Sequence, residues 1–135
     1  MRVHQVDIGA VSANQPYDLV MAFECVHDLP YPVRALRAMR ELAGDHGTVL
    51  VADMKVSERF SPPGDLVERL MYGFSLSICL PDSMSHPGSA ATGTAMRPDT
   101  FRRYAELAGF AAVELVDVDH DFWRFYRLRT SPSRP

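Results

Sequence analysis

Three rhythms of hydrophobic and polar residues run along the chain. Residues 2–6 alternate, with Val3 and Val6 set among polar neighbours and followed by Asp7-Ile8-Gly9, which predicts a short strand entering a loop. Residues 17–23 are different: after Asp18 the run Leu19-Val20-Met21-Ala22-Phe23 is wholly apolar. A short run with no polar alternation suits a strand covered on both faces, as in a parallel sheet. From Pro32 the period changes again. Val33, Leu36, Met39 and Leu42 recur every three residues, with Arg34, Arg37, Arg40 and Glu41 on the opposite side, and Gly44 or Gly47 supplies the stop. Proline is tolerated in a first helical turn, so an amphipathic helix begins there. Residues 48–52, Thr-Val-Leu-Val-Ala, are a second apolar strand closed by Asp53. Strand, helix and strand in so short a span form a βαβ unit, with a right-handed crossover to a parallel partner.

The second half reads less regularly. Ser61-Pro62-Pro63-Gly64 breaks the chain, and Asp65 is placed to cap a helix whose apolar stripe is Leu66, Val67, Leu70, Met71, Phe74 and Ile78. Residues 81–96 are small and polar, and a connection of that length points to function or mobility. Pro98 opens a helix with Phe101, Tyr104, Ala105 and Ala108 inward and Gly109 as its stop. Residues 113–118 and 122–128 alternate around the turn Asp119-His120-Asp121, which predicts an antiparallel hairpin at the sheet edge. Residues 1–129 thus read as one α/β unit and 130–135 as a polar tail.

Composition narrows the function classes. With 135 residues, 47% of them hydrophobic, the chain can bury a core without disulfides or metal. Its 14 basic and 17 acidic residues give a net charge of −3, which excludes nucleic-acid binding by overall charge. The arginines at 34, 37, 40, 102 and 103 read as solvated helix faces. No run approaches the roughly 20 apolar residues of a membrane span. The two cysteines, Cys25 and Cys79, have neither metal-ligand nor disulfide spacing and read as small buried hydrophobes. A soluble chain in the reducing cytoplasm is the expectation.

Candidate chemistry lies where the strands end. Ligands of open α/β sheets bind beyond the carboxyl ends of the strands, which singles out Phe23 and Glu24. Phe23 is equally readable as core; a glutamate directly after a buried run is harder to explain as structure. His27 beside Asp28 is a candidate general base, because imidazole titrates near neutral pH. The competing reading has Asp28 capping the next helix and His27 packed in the loop. His86, in the long loop, is either a lining residue of an acceptor pocket or simple loop polarity. Asp117, Asp119, His120 and Asp121 have metal-like composition, but aspartate is favoured by turn chemistry, and no metal site is expected there.

The stretch Tyr17-Asp18-Leu19-Val20-Met21-Ala22-Phe23-Glu24-Cys25-Val26-His27-Asp28-Leu29 resembles the fourth-strand motif of class I S-adenosylmethionine (SAM) dependent methyltransferases. Pro32 and Leu36 in the following helix, Gly47-Thr48-Val49-Leu50-Val51-Ala52-Asp53, and Ala108-Gly109-Phe110 before a hairpin continue the resemblance in order. Leu70-Met71-Tyr72-Gly73-Phe74-Ser75, the loop to Thr94 and His120-Asp121-Phe122-Trp123-Arg124-Phe125-Tyr126 look like the bacterial, especially actinobacterial, members with a winged-helix-like N-terminal domain. The resemblance implies a Rossmann-like, doubly wound, mainly parallel sheet ending in an antiparallel hairpin. It implies SAM as cofactor and a small-molecule methyl acceptor. It places Asp7 at the adenine amino group with Ile8 flanking the ring, and Phe23 and Glu24 in the cofactor site.

One departure sets a further expectation. The family's Gly-rich turn, and the acidic residue that pairs with the ribose diol, have no counterpart here. Gly88 and Gly93 follow no strand and do not replace that turn. The sequence therefore reads as the C-terminal portion of a methyltransferase, inactive alone. The alternative is a truncated, non-catalytic homologue acting as an interaction or dimerisation module. In either case self-association, or a partner chain completing the sheet, is expected.

Overall fold

The computed structural model describes residues 3–12 and 14–131. Four strands form one sheet: β1 (Leu19–Phe23), β2 (Thr48–Met54), β3 (Ala112–Leu115) and β4 (Trp123–Arg129), in the order β1-β2-β4-β3. β1 and β2 are parallel, with Val20 opposite Val49 and Ala22 opposite Val51. β4 runs antiparallel to both β2 and β3. The α/β class, the parallel βαβ unit and the terminal hairpin match the expectation, and the described sheet is mixed. The hairpin enters β4-first, so that β3 rather than β4 forms the edge.

Helix α1 (Pro32–Ala43) joins β1 to β2 and buries Ala35, Leu36, Ala38, Met39, Leu42 and Ala43. Gly44, at φ +61°, ends it and donates its N–H to the carbonyls of Arg40 and Glu41. Helix α4 (Pro98–Leu107) lies beside α1. Val49 and Val51 of β2 and Tyr126 and Leu128 of β4 are cross-strand partners, so they point to one face of the sheet. There they pack with Leu36 and Met39 of α1 and with Phe101 and Ala105 of α4. The rings of Phe101 and Tyr126 lie 4.2 Å apart and anchor this layer.

The opposite face corrects the expectation for β1. Leu19, Met21 and Phe23 are exposed, while Val20 and Ala22 join the core. Its residues alternate between a covered and a bare side because both helices that pack on the sheet, α1 and α4, lie on one face. The expected strand at residues 2–6 is also corrected: Val3 to Asp7 carry no regular structure, and a single 3-10 turn follows at Ile8–Ala10. Arg2 lies outside the described residues. Among the described residues no strand pairs with the free edge of β1.

The helix after Asp65 runs further than its stripe predicts. α2 (Leu66–Phe74) starts with the Asp65 carboxylate accepting from the Glu68 N–H. It passes through a π-helical turn, Ser75–Cys79, into α3 (Leu80–Met84), so the first residues of the expected loop are helical. Of the expected stripe only Met71 is fully buried; Leu66 is 73% exposed, and Leu70, Phe74 and Ile78 are exposed too. Polar bonds hold this arm instead. The Arg97 guanidinium donates to Glu68 Oε1 (2.6 Å), to the Tyr72 hydroxyl (2.8 Å) and to the Ser57 carbonyl (2.6 Å). Ser57 Oγ donates to Glu68 Oε2 at 2.5 Å. One buried carboxylate thereby ties α2 to the chain after β2 and to the start of α4. No described helix is long and apolar enough to cross a membrane.

Two predictions follow from this architecture. The Ser57 hydroxyl, with Arg97, lowers the Glu68 pKa despite the cost of burial. A lowered folded-state pKa contributes stability above the ordinary carboxylate value that is lost as pH falls through the folded value. Denaturant titrations of wild type and Glu68→Gln should therefore differ by a constant amount above about pH 5.5, and the gap should shrink as pH falls from there through the lowered folded-state value. A gap independent of pH would show that the pair adds nothing. The bare apolar edge predicts association, because strand edges are templates for pairing and each large apolar side chain left in water forgoes about 1.5–3 kcal/mol. Light scattering at low micromolar concentration should find dimers or larger species, reduced by Leu19→Lys with Met21→Lys. A monodisperse wild-type chain near 15.1 kDa would contradict it.

Candidate active site

At the end of β1 the chain turns sharply. Glu24 adopts φ +54°, a left-handed conformation uncommon for a residue with a side chain, while its N–H still bonds the Ala52 carbonyl of β2. Residues 25–29 then fold into a tight turn, with the Asp28 N–H on the Cys25 carbonyl and the Leu29 N–H on the Val26 carbonyl. This turn carries His27 across to the carboxyl end of β2. There His27 Nδ1 lies 2.6 Å from Asp53 Oδ1, and the His27 backbone N–H donates to Asp53 Oδ2 at 3.3 Å. Asp53 Oδ1 also accepts the Met54 N–H at 2.8 Å. Both side chains are buried, with His27 only 3% exposed.

The Asp53 carboxylate acts as an acceptor in its backbone bonds, so in the neutral ring Nδ1 carries the proton and Nε2 the lone pair. Nε2 lies 3.2 Å from Asp28 Oδ1. Burial alone would favour the neutral ring. The hydrogen bond and charge of Asp53, with the charges of Asp28 and Glu24, outweigh it and raise the His27 pKa. An imidazole so placed is a strengthened base, with Nδ1 fixed by Asp53 and Nε2 facing Asp28.

Around it stand acceptors with little to accept from. Asp28 Oδ1 and Glu24 Oε1 are buried oxygens without a hydrogen-bond partner. Burial, and then the Asp53 charge, raise the Glu24 pKa. Burial, then Asp53 and Asp28, raise the Cys25 thiol.

The structure thus gathers two of the sequence candidates, Glu24 and His27, at the carboxyl ends of the parallel strands. Phe23 sits next to them on the bare face of the sheet, 45% exposed, and is not part of the core. Asp28 does not cap α1; Tyr31 holds the N-cap position without a side-chain bond. His86 is exposed in the loop after α3 and is not among the groups around His27. Its loop does pack on the start of α1: the Tyr31 hydroxyl donates to the Pro87 carbonyl and the Ala90 N–H to the Pro30 carbonyl. Asp7 is exposed, accepts the Gly9 N–H and lies 3.8 Å from Arg34, while Ile8 packs against the core. The two line a shallow recess with Leu29, Tyr31 and Arg34.

Two residues of the site were not singled out from the sequence. Asp53 closes an apolar strand just as Glu24 does, and the same strand-end argument identifies it. Cys79 is brought to Asp28 and His27 by the π-helical turn, for which the sequence carries no readable signal.

No protein-family model matches the sequence, and no curated protein matches it. Solved structures do. The trans-methyltransferase CalH in complex with SAH is 21% identical, with a TM-score of 0.57 over 91% of this chain and 33% of its own. An O-methyltransferase family protein from Burkholderia thailandensis is 17% identical, with a TM-score of 0.58 over 90% of this chain and 32% of its own. Human N-acetylserotonin methyltransferase in complex with SAM is 16% identical, with a TM-score of 0.65 over 96% of this chain and 33% of its own. The chain spans about a third of the length of these structures. At these identities the likeness is one of fold: nearly all of the chain folds as part of the α/β architecture of these methyltransferases.

Proposed function

We propose that the chain forms the catalytic-base side of a SAM-dependent methyltransferase acting on a small molecule. The observation that carries this reading is the His27–Asp53 pair at the carboxyl ends of β1 and β2, with Nδ1 held at 2.6 Å and Nε2 facing Asp28 Oδ1 at 3.2 Å. The fold of the solved methyltransferases supports it. So does the resemblance of residues 17–29, while that of residues 70–75, the loop to Thr94 and residues 120–126 points to bacterial members with a winged-helix-like domain.

The residues present fit one side of a cofactor site. Glu24 Oε1 is a buried oxygen lacking a donor, and Phe23 offers an exposed ring beside it. Asp7 and Ile8 lie further along and belong to the adenine side by resemblance alone. The Gly-rich turn and the ribose carboxylate have no counterpart in the 135 residues. When bound, SAM supplies an electrophilic methyl on a sulfonium. The work of the chain is to orient the acceptor and remove its proton. The acceptor's O–H or N–H would donate to His27 Nε2, and that nitrogen would take its proton. Asp53 holds the ring in register and stabilises the imidazolium. The loop carrying His86, pinned over the start of α1, would line the acceptor side.

A second reading, an interaction module without catalysis, is favoured by the bare edge and face of β1. NMR separates the two. Titration of the isotope-labelled chain with S-adenosylhomocysteine should shift the amides of Phe23, Glu24 and Cys25, with weak affinity on the order of 1 mM. No shift in those amides would overturn the methyltransferase reading. In an enzyme completed by the Gly-rich segment, His27→Ala should lower kcat by about 10²–10⁴-fold without weakening S-adenosylhomocysteine. Unchanged turnover would remove His27 from the mechanism.

A further inference from the structure

Cys79 lies beside the His27–Asp28 pair, and the reaction proposed above leaves it without a task. A ring nitrogen of His27, a carboxylate oxygen of Asp28 and the Cys79 sulfur all lie within 4.8 Å of one another. We propose that these three groups form a binding site for a soft divalent cation of the zinc type. This does not rest on the methyl-transfer reading, because the same donors would bind the ion whatever the chain catalyses.

The donor set selects the ion. One thiolate, one imidazole and one carboxylate suit zinc, whereas magnesium and calcium need several oxygens. Tetrahedral zinc holds its ligands at about 2.0–2.3 Å, which sets ligand atoms about 3.5 Å apart. His27 Nε2 and Asp28 Oδ1 already stand at 3.2 Å, so little movement is required. Three protein ligands leave a fourth position for water or another small ligand.

The surroundings support the site independently of the three donors. His27 Nδ1 is bound to Asp53, the carboxylate–imidazole arrangement that orients a metal-ligating histidine and turns its other nitrogen outward. Asp28 Oδ1 is a buried oxygen without a hydrogen-bond partner, 3.2 Å from His27 Nε2. With the ring neutral the two are facing acceptors, which a shared cation satisfies.

Cys79 reaches this place through a local irregularity. It is the last residue of the π-helical turn, and one extra residue in the turn rotates it by about 100° relative to an unbroken α-helix. π turns recur at functional sites. Gly93, at φ +72°, lets the following loop press against the same turn, where a Cβ would collide with the Ser75 hydroxyl. Binding would exchange the Cys79 thiol proton, released to solvent, for a sulfur–metal bond. The ion would also occupy the Nε2 lone pair, so metal binding and proton abstraction by His27 exclude each other.

Cobalt(II) is the probe, added to the tag-free 135-residue chain. Wild type should show the near-ultraviolet thiolate-to-cobalt charge-transfer band with one equivalent bound, displaced by zinc. Cys79→Ser should abolish the band, Cys25→Ser should leave it, and Asp53→Asn should weaken binding by about 10–100-fold. Alkylation of wild type, mapped by mass spectrometry, needs no variant: zinc should protect Cys79 and not Cys25. Absence of the band in excess cobalt, its survival in Cys79→Ser, or unprotected Cys79 would each overturn the proposal.

Discussion

The bond between His27 and Asp53 is the interaction on which the rest of this site depends. It joins the end of β1 to the end of β2 just past the point where the pairing between these two strands stops. A histidine buried to this degree would ordinarily be neutral and inert. The carboxylate makes it a directed base, and the charges of Asp28 and Glu24 strengthen it further. The left-handed turn at Glu24 is part of the same device. It swings His27 back across the strand ends, and the Glu24 N–H bond to Ala52 fixes where the turn begins.

A second constraint is the one-sided sheet. α1 and α4 cover one face with an apolar layer centred on Leu36, Phe101 and Tyr126. The other face presents Leu19, Met21 and Phe23 to solvent, next to the site. The α2–α3 arm likewise shows its apolar residues outward and is held from below by Arg97, Glu68 and Ser57. Stability and recognition are thus divided between faces. The covered side makes the fold, and the bare side leaves the apolar residues of β1 open to solvent.

Much of the fold was legible because local signals agreed with tertiary packing. Pro32, Gly44 and the three-residue period bounded α1, and Pro98 and Gly109 bounded α4. The apolar runs located β1 and β2. Burial was harder to read, because a wholly apolar strand looks the same whether one face is covered or two. Val3 and Val6 mimicked a strand, but alternation over so few residues does not secure a partner. For the site, strand-end reasoning found Glu24, and the His-Asp dipeptide found His27. The partner of His27 proved to be Asp53, 26 residues away rather than adjacent, because parallel pairing aligns the two strand ends. Cys79 depended on one extra residue in a helical turn, a detail no periodicity reveals.

The most direct test of this account is the protonation pattern of the His27 ring, read by long-range ¹H–¹⁵N correlation NMR on the labelled chain. Held by Asp53, neutral His27 should be the Nδ1–H tautomer, with a slowly exchanging, strongly downfield Nδ1 proton that disappears in Asp53→Asn. A ring in the Nε2–H form, or one averaging between tautomers as a free imidazole does, would contradict it.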